Sequence, residues 1–167
     1  GLRLSSFLRL GQDELSNYQN NEAVVYNSTF GIYQKADPIS TSTYNRSDII
    51  ETFANLEPRL AASYRLNNST SVKASYNRMT QYLHLLSNTT SPTPLDIWTP
   101  SGTFVKPQLL DQVALGYFKT FKNRTYSLEV ETYYKTIQNR IDYIDGANLI
   151  ANDAIEQVIL NGEARAY

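Results

Sequence analysis

Apolar and polar side chains alternate along much of this chain, and no other feature limits its fold as strongly. A period of two residues is that of a β-strand, whose side chains point to opposite faces in turn. The clearest run places Tyr126, Leu128, Val130, Thr132 and Tyr134 against Ser127, Glu129, Glu131, Tyr133 and Lys135. The pattern predicts an all-β protein with strands at about 1–10, 53–66, 71–87, 109–122 and 125–143.

Two segments depart from this regular pattern. Pro58 lies inside the second predicted strand and has no N–H to give to a ladder, so we expect a bulge or a break there. Helical periodicity is weak, and its best example is Asn152–Leu160, where Asn152 is a plausible N-cap. The sequence therefore predicts at most one short helix.

The connections between the predicted strands alternate between short and long. Asn67–Thr70 and Asn123–Arg124 are short and contain Asn, which tolerates the positive φ of tight hairpins. The others span 11–52, 88–108 and 144–165, and compact soluble domains rarely carry several loops of that length. An outer-membrane barrel combines short periplasmic turns with long external loops. We therefore expect an antiparallel meander of about five to six long strands from a large transmembrane β-barrel.

Strand length and aromatic residues agree with this expectation. A tilted barrel strand needs about 9–11 residues to cross the apolar layer, and amphipathic rings collect at both membrane interfaces. The aromatic residues near the short turns are Tyr64, Tyr76, Tyr117, Phe121 and Tyr126, and those nearer the long loops are Phe53, Tyr82, Tyr133, Tyr134 and Tyr143.

Composition and charge argue against several functions. With 15 Lys and Arg against 16 Asp and Glu, nothing indicates a nucleic-acid partner. The absence of cysteine excludes a disulfide, a thiol nucleophile and a thiolate metal site, and one histidine cannot form a histidine-rich metal centre. The longest unbroken apolar run is Ala23–Tyr26, whereas a membrane helix needs about 20 such residues. We expect no cofactor.

Particular stretches follow one another in a recognisable order along nearly the whole chain. They are Asn55–Leu60, Ser63–Tyr64, Val72–Met79, Gln81–Leu85, Ser91–Trp98, Pro100–Gly102, Pro107–Gln108, Asp111–Tyr117, Tyr133–Lys135 and Gln138–Asn139. Together they resemble the barrel region of TonB-dependent outer-membrane receptors, in the form common in Bacteroidota. The most specific part is the combination of Leu-Glu-Pro-Arg at 56–59 with Lys-Ala-Ser-Tyr-Asn-Arg at 73–78.

The resemblance implies a location, a function and partners. It implies a barrel of about 22 strands around a plug, in the outer membrane of a Gram-negative bacterium. Its function would be active uptake of a siderophore, glycan, peptide or cobalamin, driven by a TonB complex acting through the plug. Membrane lipid, the extracellular ligand and a surface lipoprotein are the other partners considered. Because alternating runs open and close the chain, without an initiator Met or a signal peptide, we expect residues 1–167 to be a partial barrel domain.

Little in the sequence indicates an enzyme. His84 is the only histidine for a Ser-His-Asp triad, no Gly-x-Ser-x-Gly elbow occurs, and we expect His84 at the rim or in a loop. Glu129 and Glu131 face one side of a strand, where a barrel interior explains them better than a glycosidase site. A Ca²⁺ site is not expected either, since the spacing fits no EF-hand for the three candidates Asp142, Asp145 and Asn148.

Ligand binding is more credible, and its candidates lie in or near the predicted outer loops. Trp98 lies between Pro94 and Pro100, which stiffen the loop, and its indole could stack on a sugar or aromatic ligand or pack loop against loop. The first loop contributes tyrosines among Asn, Ser and Thr, a composition suited to adaptable recognition. The predicted contact residues are Trp98, Tyr82, His84, Tyr33 and Tyr44.

Two alternative functions stay open. One is a surface or adhesion barrel without transport, and the other is a soluble carbohydrate-binding β-sandwich. In the sandwich a second sheet would bury side chains that face lipid in the barrel. These are Leu60, Ala62, Tyr64, Val72, Ala74, Tyr76, Leu128 and Val130.

Overall fold

The computed structural model describes residues 1–8, 13–87, 96–121, 125–149, 152 and 154–167. This part of the chain is all-β and antiparallel, as predicted, with two single-turn 3₁₀ helices at Gln19–Asn21 and Ile155–Gln157. No helix in it has the length and hydropathy to cross a membrane. The strands are β1 (Leu2–Leu8), β2 (Asp13–Asn17), β3 (Val24–Asn27), β4 (Ile32–Lys35), β5 (Ser40–Tyr44), β6 (Ile49–Leu56), β7 (Arg59–Asn67), β8 (Thr70–Gln81), β9 (Leu83–Leu86), β10 (Ile97–Pro100), β11 (Gln108–Phe121), β12 (Tyr126–Tyr143) and β13 (Ile159–Ala166).

Five strands form a central antiparallel sheet in the order β13-β12-β11-β8-β7. Its longest members, β11 and β12, match the predicted strands at 109–122 and 125–143, and the shorter β13 is a strand beyond the five that the pattern predicts. The predicted strand at 71–87 is divided at Tyr82, because β9 leaves the central sheet and pairs with β10 instead. No sheet in the described part closes on itself.

The predicted strand at 53–66 is broken at Pro58, as expected. β6 precedes the break and pairs with β1, whereas β7 follows it and pairs with β8. The Arg78 N–H donates to the Pro58 carbonyl at 3.0 Å, and the next ladder position is taken by a side chain. There the Thr80 N–H donates to Glu57 Oε1 at 2.7 Å. A carboxylate thus satisfies a backbone donor where the two ladders separate.

The two predicted short turns have different outcomes. Asn67–Thr70 does join β7 to β8, and Asn67 Oδ1 accepts from the Ser69 N–H at 2.9 Å, which is the local bonding expected of a turn Asn. The turn predicted at Asn123–Arg124 lies outside the described residues.

The long connections contain more regular structure than the sequence predicts. The 11–52 segment contains the pairs β2–β5 and β3–β4, and the 88–108 segment contains β10. The helix predicted at Asn152–Leu160 is wrong: in the described part of that segment one 3₁₀ turn is followed by β13, whose Ile159 pairs with Tyr143 of β12.

Strand register divides the central sheet into an apolar face and a polar face. Residues paired across the strands share a face, as in the row Tyr64–Val72–Tyr117–Val130. The apolar face is not covered by the described chain, since Leu60, Tyr64 and Val130 are 66%, 71% and 54% exposed. The apolar face comprises Leu60, Ala62, Tyr64, Val72, Ala74, Tyr76, Val113, Leu115, Tyr117, Leu128, Val130 and Tyr134, and the polar face carries Arg59, Arg65, Lys73, Asn77, Gln112, Glu129, Glu131 and Lys135.

An ion pair borders the apolar face on the side of the long connections. Asp111 accepts hydrogen bonds from Arg78 Nε at 2.7 Å, from Arg78 Nη2 at 2.8 Å and from the Tyr76 hydroxyl at 2.6 Å. Beyond it, β11 presents the apolar face over Val113–Phe121, interrupted only by Lys119, whose ammonium lies 5.0 Å from the centre of the Phe121 ring. This length is close to the 9–11 residues that a tilted strand needs to cross a membrane.

The hydrophobic core of the described chain lies mainly in the long connections, where the adjoining ends of β12 and β13 pack against it, and not across the apolar face of the central sheet. Its cluster consists of Leu86, Val105, Leu149, Val158 and Ile159, each at most 7% exposed. The first connection joins this assembly through Tyr18, whose hydroxyl donates to Glu156 at 3.3 Å and whose ring contacts Phe104 edge-on at 5.5 Å. We call the described parts of 13–44, 83–107 and 144–159 the loop layer.

Candidate functional site

A cavity of about 550 Å³ opens where the polar face of the central sheet meets the loop layer. Two predicted contact residues, Trp98 and Tyr82, lie in its wall. Four more wall residues come from adjacent polar-face positions of β8 and β11, where Met79 pairs with Leu110 and Gln81 with Gln108. The volume lies within the range of small-molecule sites. The remaining wall residues are Arg3, Arg59, Thr80 and Leu83.

Trp98 is held by the β9–β10 ladder, whose two sides differ in burial. On the inner side, His84 and Leu86 are 3% and 1% exposed. On the outer side, Trp98 pairs with Leu85 and is 62% exposed. The alternation of the strand therefore buries one side in the loop layer and leaves the indole open to the cavity. At this exposure, Trp98 does not pack loop against loop in the described chain.

Glu57 organises the basic side of the cavity. Its side chain is buried, with Oε1 held by the Thr80 N–H and by Arg3 Nε at 3.1 Å, and Arg3 Nη1 also donates to the Thr80 carbonyl at 3.2 Å. Arg59 Nη2 lies farther away, 3.9 Å from Oε2. One carboxylate thus faces two guanidinium groups, and the second of them is held only loosely.

Tyr82 is fixed by hydrogen bonds at the junction of three strands. Its hydroxyl donates to the Arg3 carbonyl at 3.1 Å and accepts from Asn55 Nδ2 at 2.9 Å, and its ring stacks on Phe53 at 6.3 Å. Because the hydroxyl already donates and accepts, Tyr82 contributes to the cavity mainly the surface of its ring.

His84 is buried next to the cavity rather than exposed at a rim. Its Nε2 lies 3.0 Å from Ser101 Oγ, and both residues are almost fully buried. Burial lowers the pKa of the His84 imidazole below its ordinary value, because the charged form loses its hydration. Its contact with Ser101 ties β9 to the end of β10, the strand that carries Trp98, and the buried ring offers no surface to a ligand.

The buried imidazole predicts a pH dependence of the loop layer. Below the ordinary histidine pKa of about 6.5, the unfolded chain takes up a proton that the folded chain resists. Stability is therefore full above that value and declines as the pH falls to the lowered pKa of the folded state. We expect amide hydrogen exchange in β9 and β10 to accelerate between about pH 7.5 and about pH 5.5, after correction for intrinsic exchange. His84→Gln should remove this dependence, and an equal slope in the variant would contradict it.

The other predicted contact residues lie away from this cavity. Tyr33, on β4, is half exposed, contacts the Tyr26 ring edge-on at 5.3 Å and lines a separate cavity of about 350 Å³. Tyr44 ends β5, where it pairs with Asp13. The structure thus brings Trp98 and Tyr82 together, places His84 behind them, and keeps Tyr33 and Tyr44 in another part of the loop layer.

The polar face offers charge but no assembled metal site. Lys73 and Glu131 occupy one cross-strand row on either side of Gly116, and Lys73 Nζ lies 4.3 Å from the centre of the Phe118 ring. A Cβ on Gly116 would lie 2.8 Å from Phe118 Cε2, so only glycine leaves room for the Phe118 ring in this position. The described residues contain no group of acidic or histidine side chains that could hold a metal ion.

Sequence reasoning missed the two arginines of the cavity wall and the buried Glu57 with which they pair. The break at Pro58 was the sequence feature that could have indicated them. The β1–β6 and β7–β8 ladders separate there, so a side chain must accept from the backbone N–H that is left without a ladder partner. Comparison with protein-family models, with curated proteins and with solved structures finds no match.

Proposed function

We propose that this chain forms part of the wall and outer loops of an outer-membrane β-barrel receptor that takes up its ligand in a TonB-coupled step. The observation that carries the proposal is the exposed apolar face of the central sheet. Leu60, Tyr64 and Val130 are more than half exposed, while the buried core is confined to the loop layer. A membrane wall accounts for this distribution, since lipid covers the apolar face and the polar face lines the interior.

A soluble β-sandwich requires the apolar face of the sheet to be buried. A sandwich buries one face of each sheet against the other, yet the apolar face here has no partner sheet in the described chain. An uncovered apolar surface of this extent on a soluble protein would be an aggregation hazard. The exposure therefore supports the barrel over the sandwich.

The transport part of the proposal rests on the sequence resemblance and on the position of the cavity. A site at the meeting of the polar face and the loop layer lies on the path from the outside into a barrel. Energy would reach it from a TonB complex through a plug, and a surface lipoprotein would help to deliver the ligand. The ligand class on this basis is a siderophore, glycan, peptide or cobalamin. A surface barrel without transport would keep the wall and lack the plug.

The membrane topology can be tested with single cysteines introduced into residues 1–167, which contain none of their own, and with the labelling of the parent protein subtracted as background. Asn68 lies in the exposed β7–β8 turn, and Asp145 in an exposed turn of the loop layer. In intact cells that produce the full protein, a membrane-impermeant maleimide should label Asp145→Cys. It should label Asn68→Cys only after the outer membrane is permeabilised. Equal labelling of both positions in intact cells would contradict the proposed orientation.

A further inference from the structure

We propose that the cavity beside Trp98 binds an acidic saccharide, that is, a sugar ring bearing a carboxylate. The inference rests on the proposed receptor function, because the ligand must reach the polar face from outside the cell. It adds the chemical class of the ligand, which the fold alone leaves open among several.

The apolar wall of the cavity suits the face of a ring. Trp98 presents an indole that is 62% exposed, and Leu83 on the same side of the β9–β10 ladder is 50% exposed. Met79 and Leu110 continue this wall on the central sheet. A broad aromatic side chain that is held by its strand loses little conformational entropy when a ring stacks on it. The C–H face of a pyranose is apolar and flat enough to stack in this way.

The charge of the cavity selects an anion. Its wall contains Arg3 and Arg59 and no acidic residue, and the nearest carboxylate, Glu57, is buried and bonded to Arg3 and to a backbone N–H. One positive charge is therefore in excess. Arg59 keeps a side chain that is 59% exposed and lies 3.9 Å from Glu57, so its fork of N–H donors can reach a ligand carboxylate.

The polar groups of the wall suit hydroxyls. The Gln81 amide donates to the Leu83 carbonyl at 2.8 Å, which leaves its oxygen to accept from a ligand O–H group. Gln108 is paired with Gln81 across the strands and adds a second carboxamide that can both donate and accept. A hydrophobic or purely aromatic acid would leave these groups unpaired, whereas a sugar ring supplies several hydroxyls.

Isothermal titration calorimetry of the full-length protein in detergent tests the inference. The probes are a trigalacturonate and the matched neutral galactose trisaccharide. We expect saturable binding of the acidic probe with an affinity about tenfold or more above that of the neutral one. The difference should shrink as the salt concentration rises.

Three variants separate the contributions of the wall. Arg59→Gln should abolish the preference for the acidic probe and leave the affinity for the neutral probe unchanged. Trp98→Ala should weaken binding of both probes about tenfold or more. Arg65→Gln is the matched control, since Arg65 lies on the same strand and face as Arg59 but outside the cavity, and it should change neither affinity.

Each adverse outcome has a distinct meaning. Equal affinity for the two probes, or an unchanged preference in Arg59→Gln, would overturn the assignment of an acidic ligand. Absence of binding by a protein that passes the cysteine-labelling test would overturn the site and leave the receptor proposal standing. Binding of the acidic probe by a protein that fails that test would support the site and contradict the receptor proposal.

Discussion

Replacing Val130 by arginine is expected to prevent assembly of the protein in the outer membrane. Val130 occupies the middle of the apolar face on β12, in one row with Tyr117 and Val72, and its side chain is more than half exposed. If this face meets lipid, an arginine near the bilayer midplane costs about 2–4 kcal/mol. The fraction of full-length protein that is membrane-inserted and resistant to protease should fall accordingly.

Glu129→Arg is the matched control for this substitution. It introduces the same side chain one residue away, but strand alternation directs it to the polar face. We expect this variant to assemble like the parent protein. Normal assembly of both variants would show that the apolar face does not meet the membrane interior, and failure of both would show a general intolerance of arginine in β12.

The central sheet could be predicted because its pattern is local. Along β12 the polarity of each residue indicates the face on which it lies, as Leu128 and Val130 do against Glu129 and Glu131. A register shift by one residue would move every side chain to the opposite face. The break at Pro58 was equally predictable, since a missing N–H depends on one residue alone. The membrane origin of the sheet stays a prediction that the labelling and arginine experiments test.

The loop layer could not be predicted in the same way, because its structure depends on distant contacts. Both sides of β4 are exposed, so its side chains show no alternation between buried apolar and exposed polar residues that would predict a strand. Tyr18 is buried against Glu156, which is 138 residues away in the chain. The predicted helix at 152–160 is wrong because a distant contact also decides this segment. Ile159 begins β13 and pairs with Tyr143 of β12, and this sheet pairing outweighs a weak helical periodicity.

The candidate site was predicted in part. From its place between Pro94 and Pro100, Trp98 was a candidate either for stacking on a ligand or for packing loop against loop, and it lines a cavity in the structure. The basic side was missed because Arg3 and Arg59 come together only around Glu57, at the break where the β1–β6 and β7–β8 ladders separate. The burial of His84 was missed because leucines at 83, 85 and 86 surround it and show no alternation, and only its pairing with β10 shows which side is inside.

Leu86→Ala is expected to loosen the loop layer while the central sheet keeps its structure. Leu86 is 1% exposed and belongs to the core cluster with Val105 and Val158, and truncation of a buried leucine costs about 2–5 kcal/mol. The described central sheet contacts this cluster at one end, through Ile141 and Tyr143 of β12 and the start of β13. The free energy of local opening, measured by amide hydrogen exchange in β9 and β10, should therefore fall by about that amount.

Leu85→Ala is the control for Leu86→Ala, because it removes the same atoms from the adjacent residue on the exposed side of β9. Its effect on local opening should be small, since little buried surface is lost. Membrane insertion should be unchanged in both variants, because neither residue lies on the apolar face. If Leu86→Ala abolished insertion while leaving exchange in β9 and β10 unchanged, the loop layer would not be the separately packed unit that its buried cluster indicates.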